Sequence, residues 1–251
     1  MIRRRMSEGR RLRVLMSRHE IAPERLPGAT AVVLDVLLAT TTLVTILENG
    51  ARRVFPVATL EEAEALCEKL DDGTLLRGGE QDALAIEGYD HGPYPEEYPP
   101  EVVSGKDVVF VTTNGTRAIA QAAPAGELLI ASLRNAPAVA EYLQAKGPDS
   151  VYIICAGSRG RFVLDDFAGA AVLLSCLDTG GWRLNDAATL ALELGGRCTG
   201  RVLEVLKASR SGRWFVENGR LPTLEFAAEV GASGTLARVR DGQLTEIRKE
   251  G

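Results

Sequence analysis

Short β-branched apolar runs alternate along this chain with stretches whose apolar positions recur every three or four residues. Runs of the first kind, bounded by turn residues, suit buried parallel strands, and the second kind suits helices packed on a sheet. The pattern predicts strands at 11–17 (Leu12, Val14 and Met16 on alternate positions), 30–36, 54–57, 107–112, 128–131 and 151–155. Between them it predicts helices at 39–48, stopped by Asn49-Gly50, at 59–70, opened by a capping box of Thr59 and Glu62, and at 116–123, 137–146 and 165–177. Further helices are expected at 185–194, 200–208 and 224–230. A hairpin is expected at 236–239 and 244–247 around Asp241-Gly242. Two stretches break the pattern. Residues 75–100 hold Gly78-Gly79, Gly88, Gly92 and Pro93, Pro95, Pro99 and Pro100, and read as a long loop; residues 209–214 read as a polar, glycine-containing turn.

Strands alternating with helices over nearly the whole length predict an α/β chain, a three-layer α/β/α arrangement with a largely parallel sheet and right-handed crossovers. The length, 251 residues, suits one or two domains. No linker forces a boundary, so 14–251 read as one α/β domain with room for two intimately packed lobes, preceded by a basic disordered arm at 1–13. That arm carries Arg3, Arg4, Arg5, Arg10, Arg11 and Arg13 against Glu8, whereas the whole chain has a formal charge of −5. Basic arms can grip nucleic acid or anionic lipid. This one has no apolar core of a secretory signal and is assigned no function, so neither nucleic acid nor a membrane is expected as a partner. No apolar run approaches the roughly 20 residues that cross a bilayer. Cys67, Cys155, Cys176 and Cys198 lie far apart with no CxxC pair, which argues against a disulfide framework or a zinc site and fits a reducing cytoplasm. Homo-oligomerisation is left open.

Candidate chemistry gathers where predicted strands end. After Cys155 the chain reads Ala156-Gly157-Ser158-Arg159-Gly160-Arg161, then Asp165-Asp166 at a helix start. Free amides at such a joint welcome an anion, and arginine forks match phosphate oxygens. Two other strand ends carry polar turns: Asp35, and Thr112-Thr113-Asn114-Gly115-Thr116-Arg117. Ligands in parallel α/β sheets sit beyond the carboxyl ends of strands. If the three joints are neighbours, one cleft holds Asp35, Asn114, Thr116, Arg117, Ser158, Arg159 and Arg161. Each piece also has a plain structural role open to it, Asp35 and Thr116 as helix caps and Asn114-Gly115 as a turn.

Carboxylates beside that cleft suit Mg²⁺, a hard cation that takes a few oxygen ligands and bridges to phosphate. Asp35, Glu80, Asp90, Asp165 and Asp166 are the candidates. His19 and His91 make no metal pair by spacing. Cys155 and Arg161 have the C-x5-R spacing of cysteine-based phosphatases. Cys155 also ends an apolar run, where cysteine is commonly buried, and the core role is the one expected here.

The same residues resemble a known family. Val32-Val-Leu-Asp35-Val-Leu-Leu38-Ala-Thr40-Thr-Thr42, Gly79-Glu80, Gly88-Tyr-Asp90, Thr112-Thr-Asn114-Gly-Thr116-Arg117 and Cys155-Ala-Gly-Ser-Arg159-Gly-Arg161-Phe are together similar to the 2-phosphosulfolactate phosphatase (ComB) family. Ser209-Arg210-Ser211-Gly212-Arg213 resembles its late Ser-Arg-Asn-Gly segment, so the likeness spans most of the chain. It implies an α/β/α fold and a Mg²⁺-dependent acid phosphatase acting on a sulfonated three-carbon phosphoester, as in coenzyme M biosynthesis. The front half departs from the pattern. Leu38 stands where the family has Arg, Glu80-Gln81-Asp82-Ala83 where it has Glu-Arg-Gly-Gly, and Asp90-His91-Gly92-Pro93-Tyr94-Pro95 where it has Asp-Leu-Gly-Asn-Ser-Pro. The expectation is therefore a Mg²⁺-dependent phosphatase of a small anionic phosphoester, 2-phosphosulfolactate or a related phosphorylated acid. Asp35, Arg159 and Arg161 are expected in catalysis, Asn114, Thr116, Arg117 and Ser158 in substrate binding, and Asp35, Glu80 and Asp90 at the metal. The competing expectation is a non-catalytic small-anion-binding protein on the same scaffold.

Overall fold

The computed structural model describes residues 9–70, 73–198 and 200–247. In chain order the strands are β1 (Arg11–Leu15), β2 (Thr30–Leu34), β3 (Arg53–Val57), β4 (Leu75–Gly79), β5 (Asp107–Val111), β6 (Glu127–Ala131), β7 (Ser150–Cys155), β8 (Arg183–Leu184), β9 (Ala237–Arg240) and β10 (Gln243–Glu246). The helices are α1 (Ala39–Glu48), α2 (Leu60–Leu70), α3 (Pro100–Val103), α4 (Gly115–Ala122), α5 (Ala136–Lys146), α6 (Leu164–Ser175), α7 (Asp186–Cys198), α8 (Val202–Ala208), α9 (Arg210–Glu217) and α10 (Leu221–Ala227). They form an α/β fold around one mixed, mostly parallel sheet of order β4-β5-β3-β10-β9-β6-β2-β7-β1-β8.

Side chains of successive residues leave a strand on opposite faces, and the central strands use both faces fully. Val32, Leu34, Val151 and Ile153 join α5, α6, α7 and α8 in one apolar cluster. Ala31, Val33, Tyr152 and Ile154 join α1 and α4 in the other. All five residues of β2 are buried, as the run of β-branched and aliphatic residues requires.

The hairpin of β9 and β10 links two parallel groups. Pairings β6–β9, β9–β10 and β10–β3 are all antiparallel, so the β4-β5-β3 group runs against the group containing β2 and β7. A single residue pair, Leu244 with Val54, makes the β10–β3 register. What unites the groups is α1 and α4, because Val33, Leu43, Ile119, Val108 and Phe110 share one apolar cluster.

Several sequence expectations need correction. Residues 75–100 are not one long loop: β4 lies inside them, with Pro95–Glu97 as a 3-10 turn and α3 at their end. The glycines that hide β4 from a pattern search are required by its packing. A Cβ at Gly79, whose φ is +126°, would lie 1.8 Å from the Val111 carbonyl oxygen. Residues 209–214 are not a turn either; Ser209 caps α9, its Oγ accepting from Gly212 N–H at 2.8 Å. Arg11 and Arg13, assigned to the basic arm, belong to β1, while residues 1–8 of that arm lie outside the described residues. None of the helices in the described residues is long and apolar enough to cross a membrane.

Candidate active site

Asp35 follows β2 directly, and Gly115 opens α4 after β5. They meet although their strands belong to opposed groups. A Cβ on Gly115 would come 2.5 Å from the Ala39 Cβ and 2.7 Å from Asp35 Oδ2. Only a residue without a side chain lets this backbone approach the carboxylate. Asp35 accepts hydrogen bonds from the backbone of Ala39 and Gly115, yet its pKa is pushed up to about 7, by burial first and then by the charges of Asp165 and Glu80.

Those charges come from the first turn of α6 and from the end of β4. Asp166 is buried and acts as a clasp: Oδ1 accepts from Val36 N–H at 2.9 Å and Oδ2 from Gly157 N–H at 2.8 Å. Burial, followed by Asp35 and Asp165, raises its pKa well above the usual carboxylate range. Asp165 is equally buried, and its Oδ1 has no hydrogen-bond partner. Its pKa is raised mainly by burial, against the lowering influence of Ser209, Ser211 and Arg210. Three buried carboxylates held this close cannot all be ionised unless a cation joins them.

They floor a cavity of about 390 Å³, within the ordinary range of small-molecule sites. Two tight turns border it. In one, Ser158 and Arg161 exchange backbone hydrogen bonds, both at 3.0 Å, around Arg159 (φ 51°) and Gly160. In the other, Gln81 and Leu84 do the same around Asp82 (φ 54°) and Ala83 (φ 65°). Arg159 Nη2 stands 4.0 Å from Asp82 Oδ1, and Arg159 N–H donates to Asn114 Oδ1 at 3.3 Å. Glu80 supports the second turn: Oε1 accepts from Thr113 N–H at 2.7 Å, and Oε2 from Ala83 N–H at 2.6 Å and Thr113 Oγ1 at 2.9 Å.

The model of the 2-phosphosulpholactate phosphatase family matches residues 15–242. The chain belongs to this family. A relative from Symbiobacterium thermophilum named "Probable 2-phosphosulfolactate phosphatase" is 41% identical over 224 residues, covering 88% of this chain and 95% of that one. One of the same name from Clostridium tetani is 34% identical over 232 residues, covering 91% and 97%. Another, from Thermotoga petrophila, reaches 48% over 145 residues, covering 57% and 61%.

Within this phosphatase-family chain, the structure brings together Asp35, Glu80, Asn114, Ser158, Arg159, Asp165 and Asp166 on the cavity wall. Four sequence expectations fall elsewhere. Asp90 is exposed, lies outside the cavity lining and serves β4, its Oδ2 accepting from Arg77 N–H at 2.8 Å. Thr116 is fully buried and locks the β5–α4 joint, donating to the Thr112 carbonyl and accepting from Thr112 N–H, each at 2.9 Å. Arg117 lies outside the cavity lining, its Nε donating to the Ala58 carbonyl after β3 at 3.3 Å. Arg161 is exposed and outside the cavity lining; its backbone closes the turn.

The loop after β7 is no open anion cradle. The amides of Ala156, Gly157, Ser158, Arg159 and Arg161 all donate within the protein. Cys155 is completely buried in the apolar cluster, and burial pushes its thiol well above the usual range. A thiol so placed is no thiolate nucleophile. Reading the sequence missed Arg210, Ser211, Tyr94, Trp214 and Phe215, which also line the cavity. The signal for Arg210 and Ser211 was the Ser-Arg-Ser-Gly-Arg segment itself, recognised as a motif but not placed at the site.

The carboxylate floor fits a divalent cation. Asp165 Oδ1 is unpartnered and buried, and Asp35 lies within electrostatic reach of it. Among the described residues no three His, Cys, Asp or Glu side chains form a ready-made metal cage. Mg²⁺ does not need one, because it keeps several waters and uses one or two carboxylates with substrate oxygens.

Proposed function

We propose that this chain is a Mg²⁺-dependent phosphatase of a small anionic phosphoester. The observation that carries the reading is the unpartnered, buried Asp165 Oδ1 beside Asp35, in a cavity whose lining also offers Arg159 and Arg210. The names of the relatives point to 2-phosphosulfolactate or a related phosphorylated acid. An anion-binding protein without catalysis is the less supported alternative. Five carboxylates (Asp35, Glu80, Asp82, Asp165 and Asp166) line the cavity against two guanidiniums, and an anion would be repelled unless a cation stood between.

Asp35 and Asp165 would hold the metal, which supplies Lewis-acid polarisation of a phosphoryl oxygen. The protein's own part is positioning. Arg159 and Arg210 approach from opposite elements, the turn after β7 and the start of α9, and their forks suit phosphate oxygens. Asn114 fixes the backbone of Arg159. Asp166 ties the chain after β2 to the chain after β7, which sets the place of Asp35 against the phosphate. A reducing cytoplasm remains the compartment that the cysteine spacing favours.

The test is phosphate release from 2-phosphosulfolactate and from a simple alkyl phosphate while Mg²⁺ is titrated. Saturable Mg²⁺ dependence is expected, with Asp35→Asn and Asp165→Asn slower by about 100-fold or more, the scale of one lost electrostatic contact to a transition state. Absence of release from every phosphomonoester at every Mg²⁺ concentration would sink the reading.

A further inference from the structure

Two side chains of the cavity wall carry donors that the phosphate end does not use. Tyr94 and Trp214 both line the cavity, one from the segment after β4 and the other from α9. Phe215, buried in the apolar cluster, meets their rings edge-on, with centroids at 6.3 Å and 5.4 Å. A tyrosine O–H or tryptophan N–H taken from water usually finds an acceptor. Here neither the Tyr94 hydroxyl nor the Trp214 indole N–H donates to an acceptor among the described residues. Burial raises the Tyr94 pKa, so the phenol stays protonated at neutral pH, and Glu80 of the cavity wall is among the charges that act on it.

Arg210 and Trp214 stand four residues apart on α9, on one face and offset by about 6 Å along the axis. An ester whose phosphate meets Arg210 can thus lay a second group, a short carbon chain away, against Trp214 and Tyr94. Charge favours an anion on that side of the cavity. Glu80 and Asp82 repel it from the opposite turn, whereas the Arg220 guanidinium stacks on Tyr94 at 3.5 Å from the ring centroid. Glu96 meets that guanidinium at 3.6 Å and also accepts from Thr223 Oγ1 at 2.6 Å. Both partners of the ion pair are half-exposed, so it is loosely held and leaves Arg220 able to answer a substrate anion as well.

We infer that Tyr94 and Trp214 bind the second anionic group of the ester, a sulfonate or carboxylate, with Arg220 behind Tyr94 as the positioning charge. The inference rests on the phosphatase reading and names the residues that recognise the far end of its substrate. Binding tests it without turnover. Calorimetry with Mg²⁺ present compares 2-sulfoethylphosphonate with propylphosphonate, which share the phosphonate and differ in charge at the far end. The sulfonate is expected to bind at least tenfold more tightly, by a margin that shrinks as salt rises. Tyr94→Phe and Trp214→Phe each remove a donor and keep a ring, and each should cut that ratio about threefold or more, the scale of one hydrogen bond. Arg220→Gln, at a half-exposed position, should cut it as much. Equal binding of the two ligands, binding of neither, or a ratio that the two phenylalanine variants leave intact overturns the inference. Loss of affinity for both ligands alike in those variants also overturns it, because the rings would then be plain wall. Phosphate release separates the inference from the reading beneath. If 2-phosphosulfolactate is hydrolysed while the ratio is unmoved in every variant, the subsite falls and the phosphatase stands. If no ester is hydrolysed but the sulfonate binds better and Tyr94→Phe removes the advantage, the phosphatase falls and the subsite stands.

Discussion

Asp165 and Asp166 are adjacent in sequence and opposite in use. Asp166 spends both oxygens on Val36 and Gly157 amides, so Asp166→Asn must turn an NH₂ toward one of those donors. That leaves a buried donor unsatisfied at a cost of about 1–3 kcal/mol, and urea unfolding should register it. Asp165→Asn touches the oxygen that no protein donor uses. It is expected to keep stability within about 1 kcal/mol while abolishing Mg²⁺-dependent turnover. Equal loss of stability in both variants would show that Asp165 is as structural as its neighbour. Cys155→Ser should behave like a core substitution, with turnover within a few-fold of wild type and a loss of about 1–3 kcal/mol, because the hydroxyl is more polar than the thiol it replaces. A fall in rate of several orders of magnitude would restore the thiol as nucleophile.

At the scale of elements, the sequence was most legible where period and caps agree. The helix read at 39–48 is α1, residue for residue, and the strands at 30–36, 107–112 and 151–155 stand within two residues of β2, β5 and β7 at each end. Glycine and polar composition obscured the rest. Gly78-Gly79 looks like a loop until the close approach of Val111 explains it. α9 looks like a turn because only Gly212 and Phe215 of its eight residues are buried. Yet α9 carries Arg210, Ser211, Trp214 and Phe215, four of the cavity residues that the sequence did not place. Ser209 Oγ is the cap that starts it, so Ser209→Ala should cost about 1 kcal/mol and raise KM more than it lowers kcat, through loosened Arg210 and Ser211. Unchanged KM would mean that the start of α9 does not position substrate. For Thr116 and Arg117, identity and proximity in sequence were right and direction was not. A hydroxyl or guanidinium at a helix start can turn inward to lock the joint, and the periodicity carries no information on that choice.

At the scale of the molecule, the composite cleft could not be read from strand order. β5 stands in a group that runs against β2 and β7, and only the packing of α1 and α4 between the groups delivers Asn114 and Gly115 to Asp35. The outer group is pinned by Asp107 at the start of β5, which Arg52 holds at 2.8 Å and Arg53 also contacts. These guanidiniums, with the hydrogen bonds of Arg52 first, draw the Asp107 pKa down to about 2. The ionised form is therefore the one the fold favours. Its contribution is complete above the ordinary pKa near 4 and is lost as pH falls from there through about 2. The arginines are half-exposed and screened, so the effect should be about 1–2 kcal/mol. Urea unfolding of wild type and Asp107→Asn should differ by that much at pH 6 and converge near pH 2. A difference that persists undiminished at the lower pH would remove Asp107 from the acid sensitivity of the fold.

The central claim is that the carboxylate floor works through a divalent cation and not through the neighbouring thiol. One measurement separates the two: phosphate release by the wild-type protein after treatment with EDTA, with EDTA then excess Mg²⁺, and with iodoacetamide. The account predicts loss of release with EDTA, recovery with Mg²⁺, and indifference to iodoacetamide, since Cys155 is buried. Release that ignores EDTA, is stopped by iodoacetamide and is protected by substrate would contradict it.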